Sequence, residues 1–138
     1  MLKRSTSSLS TESMWTNTTL VVASGNRGKL KEFSKLFGDF AVEVVSQAEL
    51  GVASPEETGL SFIENALLKA RHASAKTQLP SFADDSGLMI PALDGAPGLY
   101  SARYAGVNAS DQDNMSLLLE RMKHLSGDNR KGCYICAL

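Results

Sequence analysis

Cysteine, histidine and tryptophan are scarce in this chain, which has two cysteines, two histidines and one tryptophan in 138 residues. His72 and His124 lie far from each other and from either cysteine, which argues against a zinc centre and against a Ser/His/Asp triad. Cys133 and Cys136 stand three apart in the apolar run Cys133–Leu138, and on a strand residues at that spacing point to opposite faces. They are expected to be two reduced thiols that share neither a metal nor a disulfide. An excess of charge is also missing: 14 basic and 15 acidic residues leave a formal net charge of −1. Without a broad electropositive surface, non-specific nucleic-acid binding is not expected, and any recognition of phosphate must be local. No run approaches the roughly 18–20 apolar residues that cross a bilayer, and no apolar stretch follows Lys3 and Arg4. A cytoplasmic location with no membrane partner is the expectation.

What the chain does have is the balance of one globular domain, with 43% hydrophobic and 21% charged residues. Residues 1–18 are rich in Ser and Thr and read as a disordered arm, in which Glu12 and the lack of repeated Arg speak against a transit peptide. Residues 19–138 hold the domain. Thr19–Ala23 reads as a strand, Ser24–Gly28 as a turn, and Leu30, Phe33, Leu36 and Phe37 as the apolar stripe of a helix ending near Gly38. A second strand is expected at Ala41–Val45. Ser61 and Glu64 have capping-box spacing ahead of a helix to about Lys76, whose apolar side carries Ile63, Ala66, Leu67 and Ala70. Asn65 and Lys69 share its polar edge, which is placed to face a ligand. Beyond Pro80, a minimal strand at Ser81–Ala83 delivers Asp84 and Asp85. Leu88–Leu93 follows as an edge strand, because Pro91 cannot sit in a central one. Arg103 reads as a strand-end ion pair. Asp111 opens a last helix, with Met115, Leu118, Leu119 and Met122 expected on its buried stripe, and a final strand occupies the apolar end. Alternating strands and helices favour an α/β fold with a mixed, twisted sheet flanked by helices.

Two motifs carry chemistry. Ser24-Gly25-Asn26-Arg27-Gly28-Lys29 joins a strand to a helix, so backbone N–H groups, the helix N-terminus and the Lys29 ammonium can gather anionic oxygens. It is not a Walker A loop, since its glycines are too close together and Leu30 follows the lysine. Asp84 and Asp85 are adjacent on a strand end, so one carboxylate can aim into a site while the other braces it. A hard cation such as Mg²⁺ takes one or two carboxylates together with substrate phosphate oxygens, and Glu56 and Glu57 in the preceding loop are a second source of ligands.

These motifs occur together with Glu56-Glu57-Thr58-Gly59, Phe62-x-Glu64-Asn65-Ala66, Lys69-Ala70, Ala83–Leu88 and Gly95–Gly106. The set closely resembles the inosine/xanthosine triphosphate pyrophosphatase family of non-canonical purine nucleotide enzymes. The resemblance covers about residues 19–138 and implies an elongated α/β fold with a central cleft, commonly a homodimer. It implies Mg²⁺-dependent hydrolysis of ITP, dITP and XTP to the monophosphate and pyrophosphate. Carried onto this chain, Ser24, Gly25, Asn26, Arg27, Gly28 and Lys29 would hold the triphosphate. Asp85 would be general base and metal ligand, with Glu56, or its neighbour Glu57, as a further ligand. Ser86 would contact substrate, and Lys69 would lie along the phosphate path. Ser24 stands where the family often has Thr, a change that keeps the hydroxyl.

Members of that family usually continue past the position of Leu138, through Gly-Gly-x-Gly-Tyr-Asp-Pro-type and Ser-His-Arg-type segments that grip the base. The phosphate and metal half of the site is therefore expected here without the purine-selecting half. The alternative expectation is an inactive remnant that retains only nucleotide-phosphate and metal binding. Either way, Cys133–Leu138 is expected to present an apolar edge that favours self-association.

Overall fold

The computed structural model describes residues 18–40 and 42–138. The expected arm lies outside these residues except for Thr18, which already belongs to the first strand. That strand, β1 (Thr18–Val22), is β-branched and apolar, as suits a position covered on both faces. It is the centre of a parallel sheet, flanked by β2 (Val42–Ser46) on one side and β3 (Ser81–Phe82) on the other. Val21, Val22 and Ala23 are completely buried.

The helix α1 (Arg27–Phe37) starts at Asn26, whose side-chain oxygen accepts from the amides of Gly28 and Lys29 at 2.8 and 3.3 Å. A Cβ on Gly28 would lie 3.1 Å from that oxygen, so the close cap favours glycine there. Phe33 and Phe37 meet Phe82 of β3 edge-on, with ring centroids 4.4 and 5.6 Å apart. Pairs of this kind are worth about 0.5–1.5 kcal/mol beyond their area burial. Leu36, expected on the same stripe, is instead 62% exposed, because the two phenylalanines one turn apart take the contact.

The second helix, α2 (Phe62–Thr77), is capped by Ser61, which accepts from the Glu64 amide at 3.2 Å. Its inward face differs from the expected one. Ile63 and Leu67 are exposed, while Asn65, Ala66 and Ala73 are buried. The physical reason is polar satisfaction: buried Asn65 accepts from Gly59 N at 2.7 Å and donates to Asp85 at 3.1 Å. The supposed polar edge of α2 thus faces the interior.

After β3 the chain passes through Ala83 and Asp84 into β4 (Asp85–Met89), which pairs antiparallel with β5 (Cys133–Ala137) rather than joining the parallel sheet. The α/β class with flanking helices holds, but its parallel and antiparallel strands are divided between two sheets. The strand expected at Leu88–Leu93 starts earlier and stops at Met89, because Pro91 opens a short 3₁₀ helix, Pro91–Leu93. A further 3₁₀ helix, Gly98–Arg103, carries Arg103, which was expected at a strand end. In α3 (Asp111–Arg121), a Ser110–Asp113 capping box sets the start. Met115 and Leu119 are exposed there, contrary to expectation, while Asn114 and Met122 are buried. Asn114 accepts from Ala105 N at 2.8 Å and donates to Ala102 O at 3.1 Å, which ties α3 to the Arg103 segment. Cys133 and Cys136 are free thiols, and both are exposed.

Candidate active site

Strand order β2-β1-β3 places the carboxyl end of β1 at a topological switch point, where open α/β sheets take their ligands. The turn Ser24–Asn26 leaves β1 at that point. The acidic pair enters from the other side, because β4 begins at Asp85 immediately after the link from β3. Between them lies a cavity of about 310 Å³ lined by Ser24, Gly25, Asn26, Lys29, Lys69, Asp85 and Ser86, among others. Most of the candidate residues are therefore gathered in one place. Arg27 is the first residue of α1, and Gly28 and Glu56 are not part of the lining. Glu57 is, and so are Ser54 and Arg103.

Lysine and acid meet directly. Lys29 Nζ, from α1, donates to Asp84 Oδ2 and to Ser86 Oγ, the latter at 3.0 Å. Asp84 is only 2% exposed, and its Oδ1 is buried with no hydrogen-bond partner among the described residues. Ser86 Oγ also receives the Tyr134 hydroxyl at 3.3 Å, across the β4–β5 pair. Asp85 is fixed at both oxygens: Oδ2 accepts from Asn65 Nδ2 at 3.1 Å, and Oδ1 from Ser86 N at 3.1 Å and Lys69 Nζ at 3.5 Å. The two carboxylates thus have the different duties that strand alternation anticipated, Asp84 turned to Lys29 and Asp85 to α2.

Glu57 completes the arrangement. Its Oε1 accepts from Lys69 at 2.9 Å and its Oε2 from Arg103 at 3.2 Å, so Lys69 bridges Glu57 and Asp85. The Arg103 guanidinium also lies over the Tyr100 ring, 5.4 Å from its centroid. Burial alone raises the Glu57 carboxyl, but the hydrogen bonds and charges of Lys69 and then Arg103 outweigh it and hold the group below its ordinary value. Stability linked to this group is accordingly present above its unfolded pKa and is lost as pH falls through the lower folded one. Below about pH 5 the wild-type protein should lose stability more steeply than Glu57→Gln in urea melts taken at successive pH values. The difference should stay under about 1 kcal/mol, because the ion pairs are partly solvated. Parallel curves would contradict the assignment.

The amides expected to wrap phosphate are engaged differently from the sequence reading. Gly28 N and Lys29 N are satisfied by Asn26 Oδ1, so the loop offers the cavity the Ser24 hydroxyl, the open face of Gly25 and the Lys29 ammonium. A Cβ added at Gly25 would meet no atom within 4 Å, which leaves room for a ligand to approach the backbone.

A hard divalent cation, as the resemblance implies, fits this donor set. Glu57 and Asp85 already hold one cationic group between them, the Lys69 ammonium, and Asp84 offers a buried oxygen without a partner among the described residues. Glu56 is exposed, next in sequence to Glu57. No ready-made cluster of three or more His, Cys, Asp or Glu side chains occurs among the described residues.

Asn65, read as part of a ligand-facing helix edge, and Arg103, read as an ion pair, both belong to the site, but the sequence named a partner for neither. The only signal for Asn65 was its position four residues before Lys69. For Arg103 an ion pair was expected but its partner could not be read, because Glu57 lies 46 residues away.

Fold and site together define an α/β protein with a mixed-charge cleft suited to a polyanion. Comparison with protein families matches residues 20–138 to the Ham1 family. The dITP/XTP pyrophosphatase of Photorhabdus laumondii is 56% identical over 119 residues, covering 86% of this chain and 60% of that protein. The Escherichia coli O157:H7 protein of the same name is 55% identical over the same length. Among solved structures, a HAM1 protein from Coxiella burnetii superposes with a TM-score of 0.79 at 44% identity, over 86% of this chain and 60% of the other. The Ham1 protein of Staphylococcus aureus gives 0.76 at 40% identity, with the same coverage. The chain belongs to the Ham1 family, and it spans about 60% of the length of these relatives.

Proposed function

We propose that this chain hydrolyses non-canonical purine nucleoside triphosphates, ITP, dITP and XTP, to the monophosphate and pyrophosphate; relatives named dITP/XTP pyrophosphatase support the reading. The observation that carries the proposal is the shared cavity, in which Lys29 from the first turn of α1 and Asp85 from the acidic strand end line one space. Lys29, Lys69 and Arg103 give the triphosphate three cationic partners there. Ser24, Gly25 and Asn26 of the turn, with Arg27 and Gly28 at the start of α1, form the segment against which it rests, and Ser86 stands beside it.

Water attacks one phosphorus of the α–β anhydride, its proton passes to Asp85, and the anhydride bond breaks to release pyrophosphate. The bonds from Asn65 and from the Ser86 amide hold the Asp85 carboxylate in the orientation that this transfer requires. Mg²⁺, held by Asp85 with Glu56 or Glu57, would neutralise charge on the triphosphate. The reading places the protein in the cytoplasm, working on the nucleotide pool as a homodimer. Among the described residues, no helix is long and apolar enough to cross a membrane.

Pyrophosphate release tests this reading. With magnesium present, ITP should be turned over well above GTP and ATP. Magnesium-dependent ITP binding without release would reduce the function to binding, and absence of binding would remove it.

A further inference from the structure

We propose that Gln47 fixes the direction of the Ser54 hydroxyl proton and thereby makes Ser54 a hydrogen-bond donor to polyphosphate in the cavity. The inference rests on the function proposed above and adds two residues to it. Gln47 follows directly on β2 and is 1% exposed. Its backbone is held on both sides: the amide donates to Val22 O at 3.0 Å, and the carbonyl accepts from Val52 N at 2.9 Å and Leu50 N at 3.2 Å. From this fixed position Nε2 donates to Ser54 Oγ at 2.6 Å. Ser54 lines the cavity together with Lys29, Lys69 and Arg103.

A hydroxyl has one proton and two lone pairs. When one lone pair takes the Gln47 N–H, the serine proton is left for another acceptor, and Lys29, Lys69 and Arg103, which line the cavity with Glu57 and Asp85, favour an anionic oxygen of a ligand in that role. Ser24, on the loop that leaves β1, is set in the same sense: its Oγ accepts from Asn26 N at 3.2 Å, which leaves its proton free. The cavity thus has two hydroxyls that accept from the protein and donate inward. The neighbouring backbone is pinned as well, since His72 Nε2 lies 3.0 Å from Ala53 O.

The opposite orientation of the Gln47 amide would turn Oε1 towards Ser54. The serine would then donate to glutamine and have no proton for a ligand. In the orientation described, Gln47 Oε1 is the buried atom left without a partner among the described residues. The two orientations predict opposite effects of substitution.

Calorimetric titration with inorganic tripolyphosphate and magnesium distinguishes them. Ser54→Ala should weaken binding about tenfold, the scale of one hydrogen bond to a charged group, with a fall of a few degrees in melting temperature because the buried Gln47 Nε2 loses its acceptor. Ser54→Thr should restore it. Gln47→Met should weaken binding to a similar extent, and the double variant should lose no more than Ser54→Ala alone, because Gln47 acts through the serine. Wild-type affinity in Ser54→Ala, or additive losses in the double variant, overturns the inference while leaving the proposed function in place. Absence of tripolyphosphate binding by the wild type overturns both. Should Gln47→Met fold poorly, the Ser54→Ala and Ser54→Thr pair still decides, since neither change creates a cavity in the core.

Discussion

Asp85→Asn is expected to lower pyrophosphate release from ITP by about 10²–10⁴-fold, the loss typical of removing a positioned general base. The side chain keeps its shape, so Oδ1 can still accept from the Ser86 amide and from Lys69. At the other oxygen the substitution places an amide NH₂ against Asn65 Nδ2, which now donates to the carboxylate at 3.1 Å. Two facing donors in a buried position cost about 1–3 kcal/mol, and turning the Asn65 amide gives no relief because its Oδ1 accepts from Gly59 N at 2.7 Å. Catalysis should therefore collapse while the fold persists. Steady-state release and a thermal melt on the same preparation separate the two effects. Turnover within tenfold of wild type in a folded variant would exclude Asp85 as the base.

Gly87→Ala should act in the reverse order, on the fold first. Gly87 lies in β4 two residues from Asp85, paired with Ile135 of β5. A Cβ there would collide with the carbonyl oxygen of Gly98, and would lie 2.7 Å from Ser101 Oγ and 3.0 Å from Phe62 Cε1. The serine cannot easily retreat, because it donates to Gly98 O at 2.6 Å and accepts from Leu88 N at 3.0 Å. Overpacking of this kind costs about 3 kcal/mol. In a protein of this size that corresponds to a fall of about 10 °C in melting temperature. Calorimetry or circular dichroism would measure it, and a melting temperature within about 2–3 °C of wild type would show that the Gly98–Ser101 segment moves aside cheaply.

Local chemistry made parts of this protein legible in its sequence. Ser61 and Glu64 place the start of α2 because a cap is decided within one turn, and Ser24–Lys29 reads as a strand-to-helix turn for the same reason. The adjacency of Asp84 and Asp85 also carried the right message, that neighbours on an extended chain serve different partners. What escaped depends on distant residues. The inward face of α2 is chosen by Asn65 and Lys69, whose partner Asp85 lies 20 and 16 residues away. Glu57 enters the cavity lining through Lys69 and Arg103, whereas Glu56 stays outside, and nothing local to two consecutive glutamates distinguishes them. The engagement of the Gly28 and Lys29 amides by Asn26 was hidden for another reason. An asparagine before a helix reads equally well as a cap or as a ligand contact until its side chain is located.

The passage from β3 to β4 is made by Ala83 and Asp84 alone, and the strands it joins lie in different sheets. Side chains alternate along an extended chain, so with β3 fixed, deleting Ala83 would bring Asp85 to the place that meets Lys29 and would put Ser86, not a carboxylate, opposite Asn65. The length of that spacer is therefore as much a determinant of the chemistry as its composition: a shift of one residue would leave the cleft one carboxylate short although both aspartates were still in the chain.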